Sequence, residues 1–190
     1  FPAAVQTMLD PADCGPACIA LSQDVQGQTF DYPEELFKEK IHAIRRPRPD
    51  EFQIKEAAQK IKSSKNPIII SGGGVFYSDA MEELSNFAIK HNIPVTQTVM
   101  GYSTMKRDHS HYAGQIGGLG GRNTNTLAKQ TDLAIAVGTK LADFTTGSWA
   151  NFENENFKLV SINVSRFDAN KHLAQAVIGD AKVSLDELSL

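Results

Sequence analysis

From residue 50 onward the apolar positions follow two alternating periods. Ile54, Ala57, Ala58 and Ile61 fall at i, i+3, i+4 and i+7, one stripe of a helix that Asp50 can cap with Gln53 as its third residue, a capping-box variant. Asn66-Pro67 breaks that helix, and Ile68-Ile69-Ile70 reads as a strand buried on both faces, as parallel sheets require. Ser78 is expected to cap a second helix, with Glu82 and Glu83 near its positive end, Met81, Leu84, Phe87 and Ala88 facing inward, and His91-Asn92 at its close. Further strands are expected over residues 93–98, 133–137, 158–164 and 176–178. Between them stand a helix over 123–129 and a last helix that Asp180 caps and that carries Leu185 and Leu188. Residues 101–121 read as a loop punctuated by glycine, and the pattern leaves the element type of 145–157 open. Strands alternating with helices at this spacing imply β-α-β crossovers. The fold class is therefore α/β, a doubly wound, Rossmann-like parallel sheet with helices on both faces and a strand order the pattern does not determine.

The first 50 residues differ. Phe1, Val5, Met8 and Leu9 suggest a helix already under way, and the chain opens without an initiator Met, which points to a fragment. After the turn signal Asp10-Pro11, residues 17–21 form a short apolar run read as a buried strand, with Cys14 and Cys18 as two reduced thiols near its start. A helix-strand piece cannot bury both its faces, so it is expected to be the remnant of a preceding domain. A short amphipathic stretch around Leu36, Phe37 and Ile41 leads into Arg45-Arg46-Pro47-Arg48-Pro49-Asp50, where two prolines forbid continuous helix and favour an extended connector. Its arginines suit a solvated linker, or one docked on acidic surface, better than a phosphate site. The expected organisation is the end of one domain over 1–27, a linker over 28–50 and a second domain over 51–190.

Composition narrows the function. With 19 Lys+Arg against 22 Asp+Glu, the net charge of −3 over 190 residues excludes both a nucleic-acid binder driven by bulk positive charge and an acidic disordered chain. No run approaches roughly 18 apolar residues, so no membrane-spanning helix is expected. Two cysteines are neither a disulfide framework nor a complete zinc site, and with no signal-peptide pattern a cytoplasmic setting is expected.

Candidate chemistry gathers where open α/β sheets bind ligands, beyond the carboxyl ends of the strands. Gly72, Gly73 and Gly74 lie between a strand and a helix, where missing Cβ atoms expose backbone N–H groups to an anion or a ribose. Gly138, Thr139 and Lys140 follow another strand, with Lys140 as a possible cation. A third set of glycines, including Gly117, precedes the helix at Asn123. Together they outline a nucleotide-sized crevice, and tight turns alone would explain the same glycines. Tyr77 occupies the third glycine position of G-x-G-x-x-G, and Gln97-Thr98 stands where a ribose-binding acid is expected, which argues against an NAD site. His109-Ser110-His111 with Asp108 has zinc-ligand residue types, although a solvated polar loop explains them as well. His172 follows a turn and short helix suited to capping the sheet edge. Ser148 lacks the G-x-S-x-G elbow, and Trp149 suits a core or interface. No residues form a catalytic or metal-binding set.

Gly15-Pro16-Ala17-Cys18-Ile19-Ala20-Leu21-Ser22-Gln23-Asp24-Val25 resembles the G-P-V-x-[IL]-x-[LI]-P-x-D-V signature that ends the pyrimidine-binding domain of thiamine diphosphate-dependent enzymes. Residues 46–50 look like the linker after it. Residues 67–75, 113–121 and 132–147 resemble that family's central domain; in the acetolactate-synthase-like branch the last is a G-x-R-x-x-D-x-x-T-G pattern, from which this chain departs at Lys140. Residues 144–149 with 167–172 look most like the branch of inositol catabolism, which hydrolyses a carbon–carbon bond of a cyclic dione. The resemblance implies that thiamine diphosphate and Mg²⁺ serve the full-length enzyme, with the cofactor as electron sink. The activating glutamate and the G-D-G…N motif would lie outside this chain, which would hold no catalytic residue. Partners implied are the remaining domains of the same polypeptide and further copies in a homo-oligomer, without nucleic acid or membrane. In some members the central domain binds FAD or ADP; mapped by motif, contacts would come from Gly72, Gly73, Gly74, Gly117, Gly138, Thr139 and Lys140. Lys140 stands where many flavin binders have arginine, which removes a planar two-pronged donor, and Phe144 replaces a further arginine, so little or no flavin binding is expected. Ser22 replaces the usual proline of the first domain. Competing readings are another acetolactate-synthase-like enzyme and a free-standing nucleotide-binding module. A sirtuin-like deacylase would need a four-cysteine zinc ribbon, which two cysteines cannot make.

Overall fold

The computed structural model describes residues 1–189 in two compact units, Phe1–Arg45 and a second that begins at Arg46. The first unit holds α1 (Pro2–Leu9), α2 (Gln23–Gln26) and a 3-10 turn over Glu34–Phe37. Asp10 organises its middle by accepting from the backbone N–H groups of Ala12 and Asp13 and pairing with Arg45. No residue of this unit is buried. The strand expected over 17–21 does not form: the segment is irregular and exposed, and so are Cys14 and Cys18. An apolar run becomes a strand only beside another strand, and the unit contains none.

The second unit carries α3 (Glu51–Ser63), β1 (Pro67–Ser71), α4 (Gly73–Tyr77), α5 (Met81–His91), β2 (Val95–Gln97) and β3 (Tyr112–Gln115). Then follow α6 (Arg122–Gln130), β4 (Leu133–Val137), α7 (Asp143–Thr146), β5 (Lys158–Asn163), α8 (Arg166–Ala169), β6 (Gln175–Ile178) and α9 (Ala181–Leu188). The strands form one parallel sheet in the order β3-β2-β1-β4-β5-β6, the doubly wound arrangement. β1 and β4 sit centrally and pair over five residues each, from Pro67↔Leu133 to Ser71↔Val137.

The period of two along the strands sorts their side chains into two cores. Ile69, Val95, Ile135, Val160 and Val177 face one way and meet Ala57 of α3, Leu84 and Phe87 of α5 and Leu185 of α9. Ile68, Ile70, Ala134, Ala136 and Leu159 face the other and meet Ala128 of α6. No long helix covers the far end of that second face. Residues 145–157, whose element type the pattern left open, do so instead: Trp149, Phe152 and Phe157 pack there, with the Phe152 and Phe157 rings stacked at 4.6 Å.

Three local expectations are corrected. β3 forms inside the stretch read as loop, because a four-residue, half-buried edge strand that contains a glycine and follows a histidine carries little apolar signal. Ser78 ends α4 rather than starting α5, whose N-cap is Ala80 without a side-chain cap; α4 begins directly at the glycines and uses up the residues before Ser78. Asp50 does cap α3 through Phe52 N–H at 2.9 Å, but Gln53 does not complete the box. Its Oε1 accepts from Ile178 N–H at the end of β6 (2.9 Å), satisfying a strand end instead.

The connector residues dock on acidic side chains of this unit. Asp180 N–H donates to Pro47 C=O at 2.8 Å, Arg46 pairs with the buried Asp180 at 3.1 Å, and Arg48 pairs with Glu187. At the opposite edge, Asp132 accepts from Ser64 Oγ and from the N–H groups of Lys65 and Asn66 (2.8 and 3.0 Å), clamping the α3–β1 turn to β4. Burial raises the affinity of Asp132 for a proton, yet these three donors outweigh it and hold the carboxyl below the usual carboxylate range. A group so depressed stabilises the fold above its unfolded value of about pH 4 and loses that contribution as pH falls through its folded value. Asp132→Asn is expected to lower stability by about 1–3 kcal/mol near neutral pH. In urea unfolding series, the gap between variant and wild type should close as the pH is taken below about 4; a gap that widens would contradict the clamp.

Candidate functional site

The strand order reverses direction between β1 and β4, so the crevice of this sheet opens where the β1–α4 loop faces the β4–α7 loop. These loops are the Gly72–Gly74 and Gly138–Lys140 stretches, so the structure brings six of the seven predicted residues to one place. The glycines there touch backbone. A Cβ on Gly72 would lie 2.3 Å from Gly138 O, and one on Gly74 would lie 2.6 Å from Gly138 Cα. Gly138 has φ +60°, in the left-handed region, and its own Cβ would meet Gly74 Cα at 2.6 Å. The close approach is held by hydrogen bonds: Gly72 N–H donates to Val137 O (2.8 Å), Gly74 N–H to Gly138 O (2.9 Å) and Gly138 N–H to Ile162 O (2.9 Å).

Gly117, the seventh residue, stands on the loop after β3 and locks to α7. A Cβ on it would lie 2.0 Å from Phe144 O. Its N–H donates to Asn125 Oδ1 (2.9 Å), Asn125 Nδ2 returns a bond to Gly117 O (3.0 Å), and Gly118 N–H donates to Phe144 O (2.7 Å). Thr139 is buried; its Oγ1 accepts from Leu141 N–H, and its carbonyl accepts from Asn163 Nδ2 at 3.2 Å. Lys140 is exposed.

Gln97, where a ribose-binding acid would stand, has a structural task. Buried to 1% exposure, it donates from Nε2 to Met105 O (3.0 Å) and Thr104 Oγ1 (3.2 Å), and Thr104 Oγ1 lies 2.8 Å from Ser71 Oγ. This network pins the segment after β2 to the end of β1, and Gly101 fits beneath it with its missing Cβ 2.1 Å from Ser71 O. Asn125 of α6, Asn163 at the end of β5 and Thr104 of a loop carry no sequence signal, because a lone amide or hydroxyl belongs to no period or motif.

Of the predicted anion donors, Gly72, Gly74, Gly117 and Gly138 thus spend their N–H groups on protein acceptors, and a phosphate at these positions would have to displace them. The other flagged residues lie elsewhere. His109 Nδ1 accepts from His111 N–H (3.1 Å) and its Nε2 meets Ser85 Oγ (2.9 Å), while His111 Nε2 meets Asn92 Oδ1 (3.1 Å). Among the described residues no group of three metal-ligating side chains forms. His172 has φ +60° and lays its ring against Trp149 at 4.3 Å, tying the loop before β6 to the second core.

The family model for the thiamine pyrophosphate enzyme central domain matches residues 54–188. The chain belongs to that family. A 3D-(3,5/4)-trihydroxycyclohexane-1,2-dione hydrolase of Clostridium perfringens (strain 13 / Type A) is 46% identical over 185 residues, covering 97% of this chain and 29% of the relative. One from Bacillus thuringiensis (strain Al Hakam) is 42% identical over 191 residues, covering 98% of this chain and 30% of its own length. The chain therefore spans less than a third of these curated relatives. Among solved structures, benzoylformate decarboxylase from Polynucleobacter necessarius superposes with a TM-score of 0.74 at 20% identity, over 97% of this chain and 34% of its own; at that identity the likeness is one of fold. The sheet is thus that of the family's central domain, and in this chain the glycines of its two facing loops serve the contact between them.

If that contact is structural, Gly74→Ala and Gly138→Ala should each cost about 2–4 kcal/mol through overpacking and backbone strain. Gly73→Ala, whose Cβ would meet Met100 O at 3.3 Å, should cost about 1 kcal/mol or less. Denaturant unfolding of the three variants separates them; equal, small losses would show that the loops do not interlock.

Proposed function

We propose that this chain is the central, scaffolding domain of a thiamine diphosphate-dependent hydrolase that opens the ring of a trihydroxycyclohexane-1,2-dione, and that it is inactive alone. The observation that carries this reading is the identity of 46% across 97% of the chain with a relative of that name. The site supports the second half: around the crevice, the polar side chains Gln97, Thr104, Asn125 and Asn163 are engaged in holding loops. Residues 1–27 would be the end of the pyrimidine-binding domain, 28–50 the linker and 51–190 the central domain. The unburied apolar side chains of Phe1–Arg45 support that division, since such a piece needs a larger domain to cover it.

Thiamine diphosphate would accept the electrons released when the carbon–carbon bond breaks, and with Mg²⁺ it would sit in the parts of the polypeptide outside this chain. The G-D-G…N motif that holds the diphosphate does not occur in these 190 residues, so no step is assigned to residues here. This domain's own task is to hold the preceding and following domains at a set spacing on a rigid sheet, within a homo-oligomer in the cytoplasm. A nucleotide on the crevice would meet Gly73, Thr139 and Lys140, whose neighbouring N–H groups are engaged, and Lys140 and Phe144 in place of arginines favour weak or absent flavin binding.

The purified 190-residue chain, supplied with thiamine diphosphate, Mg²⁺ and the dione, is expected to give no ring-opened acid above a heat-killed control, whereas the full-length gene product turns the dione over. Turnover by the chain alone would overturn the scaffold reading. A full-length protein that ignores the dione and condenses pyruvate would overturn the substrate. The same preparations should be colourless, and yellow protein with stoichiometric flavin would contradict the cofactor reading.

A further inference from the structure

The turn after β2 is built inside out. Its polar side chains, Thr98 and Thr104, are buried beside Gln97 and Ser71. Thr98 N–H donates to Ser71 O (3.0 Å), Gly101 N–H to Thr98 Oγ1 (3.0 Å) and Thr104 Oγ1 to Gly101 O (2.7 Å), so the turn is fastened to the end of β1 from beneath. Its apolar side chains, Val99, Met100 and Tyr102, stand in solvent. Phe76 and Tyr77 of α4 continue the same surface. A Cβ on Gly73 would lie 3.5 Å from Met100 Cβ and 3.6 Å from Tyr77 Cε2, and the Phe76 and Tyr77 rings meet edge to face at 6.1 Å. The five side chains are exposed to between 51% and 75%. Arg107 sets a cation at the rim, bonded to the Tyr102 hydroxyl at 3.0 Å. A buried polar network that holds five large apolar side chains in water has already met the ordering cost of a contact. The size of the patch says with what. At about 200 Å² for a large side chain, the five expose about 600 Å². Free proteins that associate stably bury about 800 Å² on each partner. Domains of one polypeptide dock through about 300–750 Å² a side, because the tether supplies the concentration. The chain covers 29% of its Clostridium perfringens relative, so most of such a polypeptide lies outside it.

We propose that Phe76, Tyr77, Val99, Met100 and Tyr102 form the face on which a domain of the same polypeptide, outside these 190 residues, docks. The proposal rests on the scaffold reading above and names the surface that reading needs. Hydroxyl-radical footprinting, read by mass spectrometry, tests it on the 190-residue chain and the full-length gene product at matched radical dose. Tyr77, Met100 and Tyr102 should oxidise readily in the chain alone at every protein concentration, and about fivefold more slowly in the full-length protein. Tyr77→Ser combined with Met100→Ser should leave the thermal midpoint of the 190-residue chain in place. In the full-length protein the same pair should return oxidation of Phe76 and Tyr102 to the rate of the chain alone. Equal oxidation of the three residues in both proteins would overturn the proposal. So would protection that grows with concentration in the chain alone, which would assign the face to a second copy. A midpoint lowered by the paired substitution, or a full-length variant still protected at Phe76 and Tyr102, would overturn it too. The footprint does not depend on which substrate the full-length protein accepts, so a failed dione assay and a failed footprint are separate results.

Discussion

Two backbones approach each other more closely than any side chain permits where the loop after β1 meets the loop after β4. With Gly74 Cα 2.6 Å from where a Cβ of Gly138 would be, and Gly72 pressed on the Gly138 carbonyl, glycine is required on both sides. The consequences spread outward. Because the loops touch, the N–H groups of Gly72, Gly74 and Gly138 find acceptors in the facing loop and in β4 and β5, which leaves these three donors engaged with protein. Because α4 starts inside the contact, the helix is short and the chain must turn again at Ser78 before α5 can begin. The Gly117–Phe144 contact repeats the same device between the loop after β3 and α7.

That economy bears on function. A parallel sheet carries its ligand at the carboxyl edge when its loops leave backbone donors open. Here the loops are spent on one another and on Gln97, Asn125 and Asn163, which brace them with amide side chains rather than offering acids, bases or nucleophiles. This bracing is what the proposed scaffolding role rests on. In the thiamine pyrophosphate enzyme family, to whose central domain residues 54–188 belong, chemistry performed elsewhere on the polypeptide fits such a piece.

Most of the second unit is legible in the sequence because its signals are redundant. Continuous apolar runs such as Leu133–Val137 admit only a central strand buried on both faces, and Asp50 and Asp180 mark helix starts that the structure keeps. The errors share one cause, that a local pattern does not report its neighbours. Tyr112–Gln115 is a strand only because β2 lies alongside it, and residues 17–21 are not one because nothing does. Gln53 suits a capping box on paper, yet a strand end without a partner claims it first. The glycines that outline the candidate crevice in the sequence lie on facing loops in the fold. Whether a glycine opens a loop to a ligand or closes it on another loop depends on what stands opposite, and only the fold supplies that.

The most direct measurement is native-state hydrogen exchange of the Gly72, Gly74 and Gly138 amides. If these loops form one interlocked, internally bonded edge, all three should exchange only through global unfolding, as slowly as amides in the middle of β1 and β4. Exchange at the rate of free loop amides, slowed only when a nucleotide is added, would mean that the edge is an open binding site, and the scaffold account would fail.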